Sequence, residues 1–204
     1  MTPHLETLKQ RHPVLTDCMH TIEQAFLIMR DSIAQEGTLF LAGNGGSAAD
    51  ADHWSGELLK GFCKQRPLPV EARSRMRPEL ADRLQGGIRA IPLTGFPAFT
   101  TAFSNDVEPS LVWAQLVHTL GRKGDVFIGL STSGNASNVC AAAEAARAKG
   151  LTIVGLTGQR GGALKALCDL CICVPATETY HVQELHLPVY HCLSLMLEDE
   201  FFSS

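Results

Sequence analysis

Apolar residues recur at helical spacing near the start of the chain, at Val14, Cys18, Ile22, Phe26, Met29 and Ile33, until Gly37 stops the pattern. With a shorter segment near residues 5–10, this predicts an N-terminal helical region over residues 1–36. The period then changes. Residues 38–42 (TLFLA) form a short apolar run that enters the glycine-rich turn GNGGS, and residues 47–62 read as a helix. The same grammar repeats: a strand at 88–94, a turn-rich stretch, and a helix from about 108 to 120. Gly124-Asp125 turns into a strand at 126–131, followed by the loop STSGN and an alanine-rich helix at 136–149 that Gly150 ends. A strand at 151–157, a short helix at 162–167, a strand at 170–174 and a final helix from about 182 to 200 complete the pattern.

Apolar strands alternating with helices predict an α/β fold with a parallel sheet covered on both faces. Nothing marks a second domain, so residues 1–204 read as one. Ligands of such sheets bind at the carboxyl ends of the strands, where the turns at 43–47 and 131–135 both fall. With 45% apolar and 19% charged residues the chain is not of disordered composition. Its formal charge of −4 offers no overall basic footprint for nucleic acid. No signal-peptide pattern opens the chain and no apolar run is long enough for a membrane helix, so a cytoplasmic protein is expected. Seven cysteines, an odd number, suit a reducing compartment, and LCDLCICV reads as a buried strand rather than a thiol metal site.

Residues 64–89 change the picture of a nearly neutral chain, because they carry +4 and leave −8 for the remainder. Pro69 and Pro78 each open a possible short helix, the second ending at Gly86-Gly87. The segment is either a solvated excursion or a wall that brings arginine to an anionic ligand. GNGGSA formally matches a dinucleotide fingerprint, but the second strand ends in IPLTG without the carboxylate a nicotinamide ribose requires. Ser131, Thr132 and Ser133 are more informative. Three hydroxyls between a strand and a helix N-terminus suit a phosphate, where one cap would need only one. His53 and Glu57 lie four apart on one helix face, a spacing that can chelate zinc. The run HVQELHLPVYH adds Gln183, Glu184, His186 and His191. Gln183 and His191 are separated by about 12 Å of helical rise, too far to meet at one ion without distortion. Asp50 and Asp52 are expected in a first helical turn, where negative charge is favourable, and Glu184 and His186 are left outside the site.

On GNGGSAADADHWSGEL, Asn105-Asp106, GDVFIGLSTSGN, TIVGLTG and QELHLPVYH, the chain resembles the sugar isomerase (SIS) domain superfamily, and within it the phosphoheptose isomerases of sedoheptulose 7-phosphate. The resemblance implies a five-stranded, doubly wound parallel sheet and a homotetramer with active sites between subunits. It implies one zinc per subunit, held at His53, Glu57, Gln183 and His191. It also implies substrate contacts at Asn44, Gly45, Gly46, Ser47, Glu57, Asn105, Asp106, Ser131, Thr132, Ser133 and Gln183, with Glu57 and His191 moving protons. Three departures stand out: Ala136 where the family has serine, Tyr180 where an acidic residue is common, and Lys60-Gly61-Phe62 in place of Gly-Arg-Tyr before a lengthened basic segment. These leave room for a different sugar phosphate as substrate. A non-catalytic module that binds a phosphosugar, or a protein such as a replication initiator, is the reading from another class.

Overall fold

A computed structural model describes residues 2–202. Chain order runs through α1 (Pro3–Arg11), a 3-10 turn (Pro13–Cys18), α2 (Met19–Ala34), β1 (Leu39–Gly43), α3 (Gly46–Leu59), α4 (Val70–Arg73), α5 (Pro78–Ala81) and β2 (Ala90–Pro92). It continues through α6 (Pro97–Asp106), α7 (Val112–Leu120), β3 (Val126–Ser131), α8 (Ser137–Lys149), β4 (Thr152–Thr157), α9 (Gly162–Leu167), β5 (Leu170–Cys173) and α10 (Thr179–Phe201). The five strands are all parallel, in the order β2-β1-β3-β4-β5. The chain therefore reverses its winding direction beside β1 and β3, which is where a sheet of this kind opens a crevice.

Side chains alternate across the sheet and build two cores. Leu39, Leu41, Val126, Ile128, Leu130, Val154 and Leu156 face a layer of α1, α2, α3 and α10. Phe40, Ala42, Phe127 and Ile153 face α7 and α8 on the other side. The fold class read from the sequence is the one observed. Among the described residues no helix is long and apolar enough to cross a membrane.

Several local expectations need correction. Val14 is exposed and Cys18 closes a 3-10 turn, so the regular helix starts only at Met19. The strand expected at 88–94 shrinks to three residues, because Pro92 lacks a donor and a 3-10 turn follows at Leu93–Gly95. The stretch taken as turn-rich holds α6, and the helix expected from 108 begins at Val112 after a 3-10 turn at Pro109–Leu111. Pro69 caps α4 from outside, and α5 stops at Ala81, well before Gly86-Gly87. The cysteine-bearing strand β5 is an edge strand, half-buried rather than fully covered.

Candidate functional site

The first group of site residues gathers at the carboxyl edge of the sheet. β3 delivers Ser131 into the turn, Gly134 takes a left-handed φ of 69°, and Asn135 accepts from the N–H of Ala163 through its side chain. α8 starts behind Ala136, which offers no capping side chain, so the helix presents uncapped N–H groups where an anion is favoured. The side-chain amides of Asn44 and Asn138 pair reciprocally at 2.9 and 3.0 Å, tying the first turn to α8. Gln183 lies against Gly46 so closely that a Cβ there would stand 2.6 Å from its amide nitrogen. Thr132, Ser133 and Asn135 line a cleft of about 360 Å³ with Arg160 and Glu178. Arg160 escaped the sequence reading, although the turn TGQRGG that carries it follows another strand at the same edge. Ser47 and Ser131 are buried.

The second group lies lower down, where α3 and α10 run side by side. His53 Nε2 stands 3.2 Å from Glu57 Oε1, and Lys60 Nζ stands 3.0 Å from Glu57 Oε2. The His53 and His191 rings meet edge to face with centroids 5.2 Å apart, and Phe62 covers His191 at 5.4 Å. Burial, reinforced by the charge of His53, lowers the His191 pKa and favours its neutral form. Two residues that the sequence did not assign to the site complete the group. The Tyr190 hydroxyl lies 2.9 Å from His53 Nδ1 and donates to Asp50 Oδ1 at 3.2 Å. α3 starts at Gly46, so Asp50 falls beyond the first turn and faces α10 instead of stabilising a helix end. Burial raises its pKa, against the opposing pull of Tyr190 and His53. Asp52 is engaged elsewhere, by Thr94.

That chain of hydrogen bonds decides the chemistry of His53. A carboxylate only accepts, so Tyr190 gives its proton to Asp50 and receives one from His53 Nδ1. That leaves Nε2 of His53 as the nitrogen that faces the Glu57 carboxylate. A proton or a metal ion between these two atoms, 3.2 Å apart, joins the ring to the carboxylate. His191 Nε2 is buried beside them without any hydrogen-bond partner. In donor chemistry His53, Glu57 and His191 fit a borderline-soft divalent ion such as zinc. Among the described residues, however, no three His, Cys, Asp or Glu side chains are placed to hold an ion by themselves. Gln183 lies against Gly46 in the strand-end group whereas His191 lies against His53, about 12 Å of helical rise apart on a helix that runs unbroken through Pro188.

Asn105 and Asp106 end α6, exposed and hydrogen-bonded to each other at 2.8 Å. Among the described residues no hydrogen bond joins them to either group. The basic segment closes on itself through a bridge between Pro67 and Gln85 and packs against Phe202. Its Arg66 is fully buried and bound to Glu198, whereas Arg75, Arg77, Arg83 and Arg89 remain exposed. Arg66, Arg73 and Arg83 border a separate hollow, distinct from the strand-end cleft.

Residues 100–196 match the family model of the SIS domain. The chain is 42% identical over 171 residues to the phosphoheptose isomerase of Burkholderia pseudomallei strain 1710b, covering 84% of this chain and 77% of that protein. This chain belongs to the phosphoheptose isomerase family. Two solved structures of the family agree. The phosphoheptose isomerase from Neisseria gonorrhoeae superposes with a TM-score of 0.75 at 30% identity, covering 96% of this chain and 93% of that one. The enzyme from Francisella tularensis gives 0.79 at 28% identity, covering 95% and 94%. Ala136 leaves the α8 terminus without a side-chain cap, and Lys60 brings a cation directly onto Glu57.

Proposed function

We propose that this chain interconverts sedoheptulose 7-phosphate and D-glycero-D-manno-heptose 7-phosphate, an aldose–ketose isomerisation. The observation that carries the reading is the carboxylate of Glu57 beside two imidazoles, in a chain that also presents a hydroxyl-rich turn at a helix N-terminus. The reaction shifts a proton between neighbouring carbons through an enediol, which requires a base at carbon and an acid–base group at oxygen. Glu57 takes the carbon-bound proton. His191, whose neutral form burial favours, accepts and returns the proton of the adjacent hydroxyl, and both residues take these roles in alternation with holding a metal. Ser131, Thr132 and Ser133 with the α8 N–H groups hold the phosphate. Asn44, Gly45, Gly46, Ser47, Asn105 and Asp106 address the sugar, so that binding energy remote from the chemistry fixes the reacting carbons.

His53, Glu57, His191 and Gln183 would hold zinc, with Gln183 supplied by another copy of the chain because it stands in the strand-end group. A zinc ion held there would supply Lewis-acid polarisation of the carbonyl and stabilisation of negative charge on its oxygen. Purified protein is expected to isomerise sedoheptulose 7-phosphate in preference to five- and six-carbon ketose phosphates, with close to one zinc per chain by elemental analysis. Absence of turnover on every member of the panel by zinc-loaded protein overturns the reading.

Ala136 and the Lys60–Glu57 pair favour one further possibility, a different ketose phosphate handled by the same residues. A clear preference for another sugar in the same panel selects it.

A further inference from the structure

The sulfur cluster on the edge strand lies outside everything assigned so far. Among the described residues all seven cysteines are free thiols. Three of them, Cys168, Cys171 and Cys173, crowd the end of β4 and β5, each only partly buried. Gly155 makes the space. A Cβ at that position would stand 2.7 Å from Cys168 Sγ and 3.1 Å from Cys171 Sγ, so both sulfurs occupy the volume a side chain would fill. Cys173 Sγ lies 3.7 Å from Cys171 Sγ, and Thr157 Oγ1 lies 3.5 and 3.4 Å from the two.

We propose that Cys168 and Cys171 form a hydroperoxide-reactive dithiol in which Cys171 is the attacking sulfur and Cys168 its disulfide partner. The strand fixes the choice of partner. Pairing with Gly155 and Thr157 of β4 holds Cys171 and Cys173 extended, two residues apart. That puts their Cα atoms about 6.6 Å from each other, at the far limit for a disulfide. Cys168 lies outside the β5 ladder, as the residue that closes α9, and its sulfur shares the space over Gly155 with that of Cys171.

The surroundings also single out Cys171 as the nucleophile. Hydrogen bonding from Cys168, opposed by burial and aided by Thr157, Cys173 and the Lys165 charge, brings its pKa down to about 6. Cys168, the donor, is pushed up. Burial raises Cys18, Cys140 and Cys192. In the reaction the Cys171 thiolate attacks one peroxide oxygen and the O–O bond breaks. The departing alkoxide or hydroxide takes up a proton, and Cys171 is left as a sulfenic acid. Cys168 loses its proton and attacks that sulfur. The S–S bond forms and hydroxide leaves as water. Two thiols lose two electrons and the hydroperoxide gains them.

The test uses the reduced full chain, treated with hydrogen peroxide near pH 7, alkylated and digested without reductant. Trypsin with a protease that cuts before aspartate separates Ala166–Cys168 from the peptide that begins at Asp169. Mass spectrometry is expected to find these two joined, with Cys171 oxidised about threefold faster than exposed Cys63, the gain in thiolate fraction outweighing the lower nucleophilicity of a low-pKa sulfur. Cys168→Ser should stop at a sulfenic acid trapped by a cyclic dione, and Cys171→Ser should leave Cys168 reduced. Oxidation of Cys63 at an equal or faster rate overturns the proposal. So does a bond confined to the peptide that begins at Asp169, or joining of Cys168 in the Cys171→Ser protein at the original rate. None of these readouts depends on isomerase activity.

Discussion

At the scale of single residues, the informative side chains are buried polar groups that the chemistry does not obviously need. His186 is fully buried in α10, and its ring nitrogens lack a hydrogen bond of good geometry, though the backbone of Thr157 approaches. Burial brings its pKa down to about 4 from 6.5, only partly offset by Thr157. The unfolded chain therefore binds a proton at this histidine between pH 6.5 and 4 while the folded chain does not. Stability from this residue is complete above pH 6.5 and declines as pH falls, by about 3 kcal/mol at pH 4. His186→Leu should flatten that decline in urea unfolding across the interval, with no loss at pH 7.5. An unchanged slope would mean that another group causes it. Tyr190 acts differently, by fixing which nitrogen of His53 is free. Tyr190→Phe should lower zinc affinity and kcat by about 10- to 100-fold. Removing a partner from half-buried Asp50 should also cost about 1 kcal/mol of stability. Metal titration and urea unfolding of the same variant separate the two effects. Nothing in the sequence marked Tyr190, because its role depends on α3 and α10 lying in register, a contact between residues 137 positions apart.

At the scale of elements, the end of α3 is held by a buried ion pair rather than by a cap. Glu198 accepts from the N–H groups of Phe62, Cys63 and Lys64 and from Arg66 Nε at 2.8 Å, and Arg66 Nη1 donates to the Leu58 carbonyl. Arg66 and Glu198 side chains are 0% and 1% exposed. Glu198→Ala should cost about 3–5 kcal/mol, because it strands a buried guanidinium as well as three backbone donors. Thermal unfolding would reveal it, and a drop no larger than that of a surface carboxylate variant would show the pair to be dispensable. Read as sequence, Arg66 was one more charge in a basic run, and only the packing of α10 against the segment removes it from that class. The central strands β1, β3 and β4 were legible because burial on both faces leaves an uninterrupted apolar signal. α6 was not legible: PAFTTAFSND opens with proline, is rich in turn-forming residues and has no fully buried side chain to impose a helical period. β2 lost its ends for the related reason that an edge strand needs pairing on one side only, which lets Pro92 end it.

At the scale of the whole molecule, the proposed site residues of a single chain fall into two separate groups, which we read as two half-sites. Thr132, Ser133, Asn44, Gly46 and Gln183 gather at the carboxyl edge, whereas His53, Glu57 and His191 sit two to three turns further along the flanking helices. The parallel packing of α3 and α10 keeps the halves apart, because Gly46 meets Gln183 at one level and His53 meets Tyr190 at the next. Individual members of both halves were readable as residue types at suggestive spacings. Their separation was not, since the arithmetic of helical rise warned only that Gln183 and His191 could not share an ion within one straight helix. A symmetric assembly resolves the difficulty if the strand-end group of one copy faces the histidine–carboxylate group of the next. This makes a specific prediction for mixed oligomers. Ser133→Ala with Thr132→Ala disables the first half, and His53→Ala disables the second, so each variant alone should be nearly inactive. Co-expressed at equal levels and assembled together, they should regain about one quarter of wild-type turnover, because random mixing leaves that share of sites with both halves intact. A site built within one chain would regain nothing, since every chain then carries one damaged half. The comparison needs only kcat per chain and a mass measurement of the mixed oligomer.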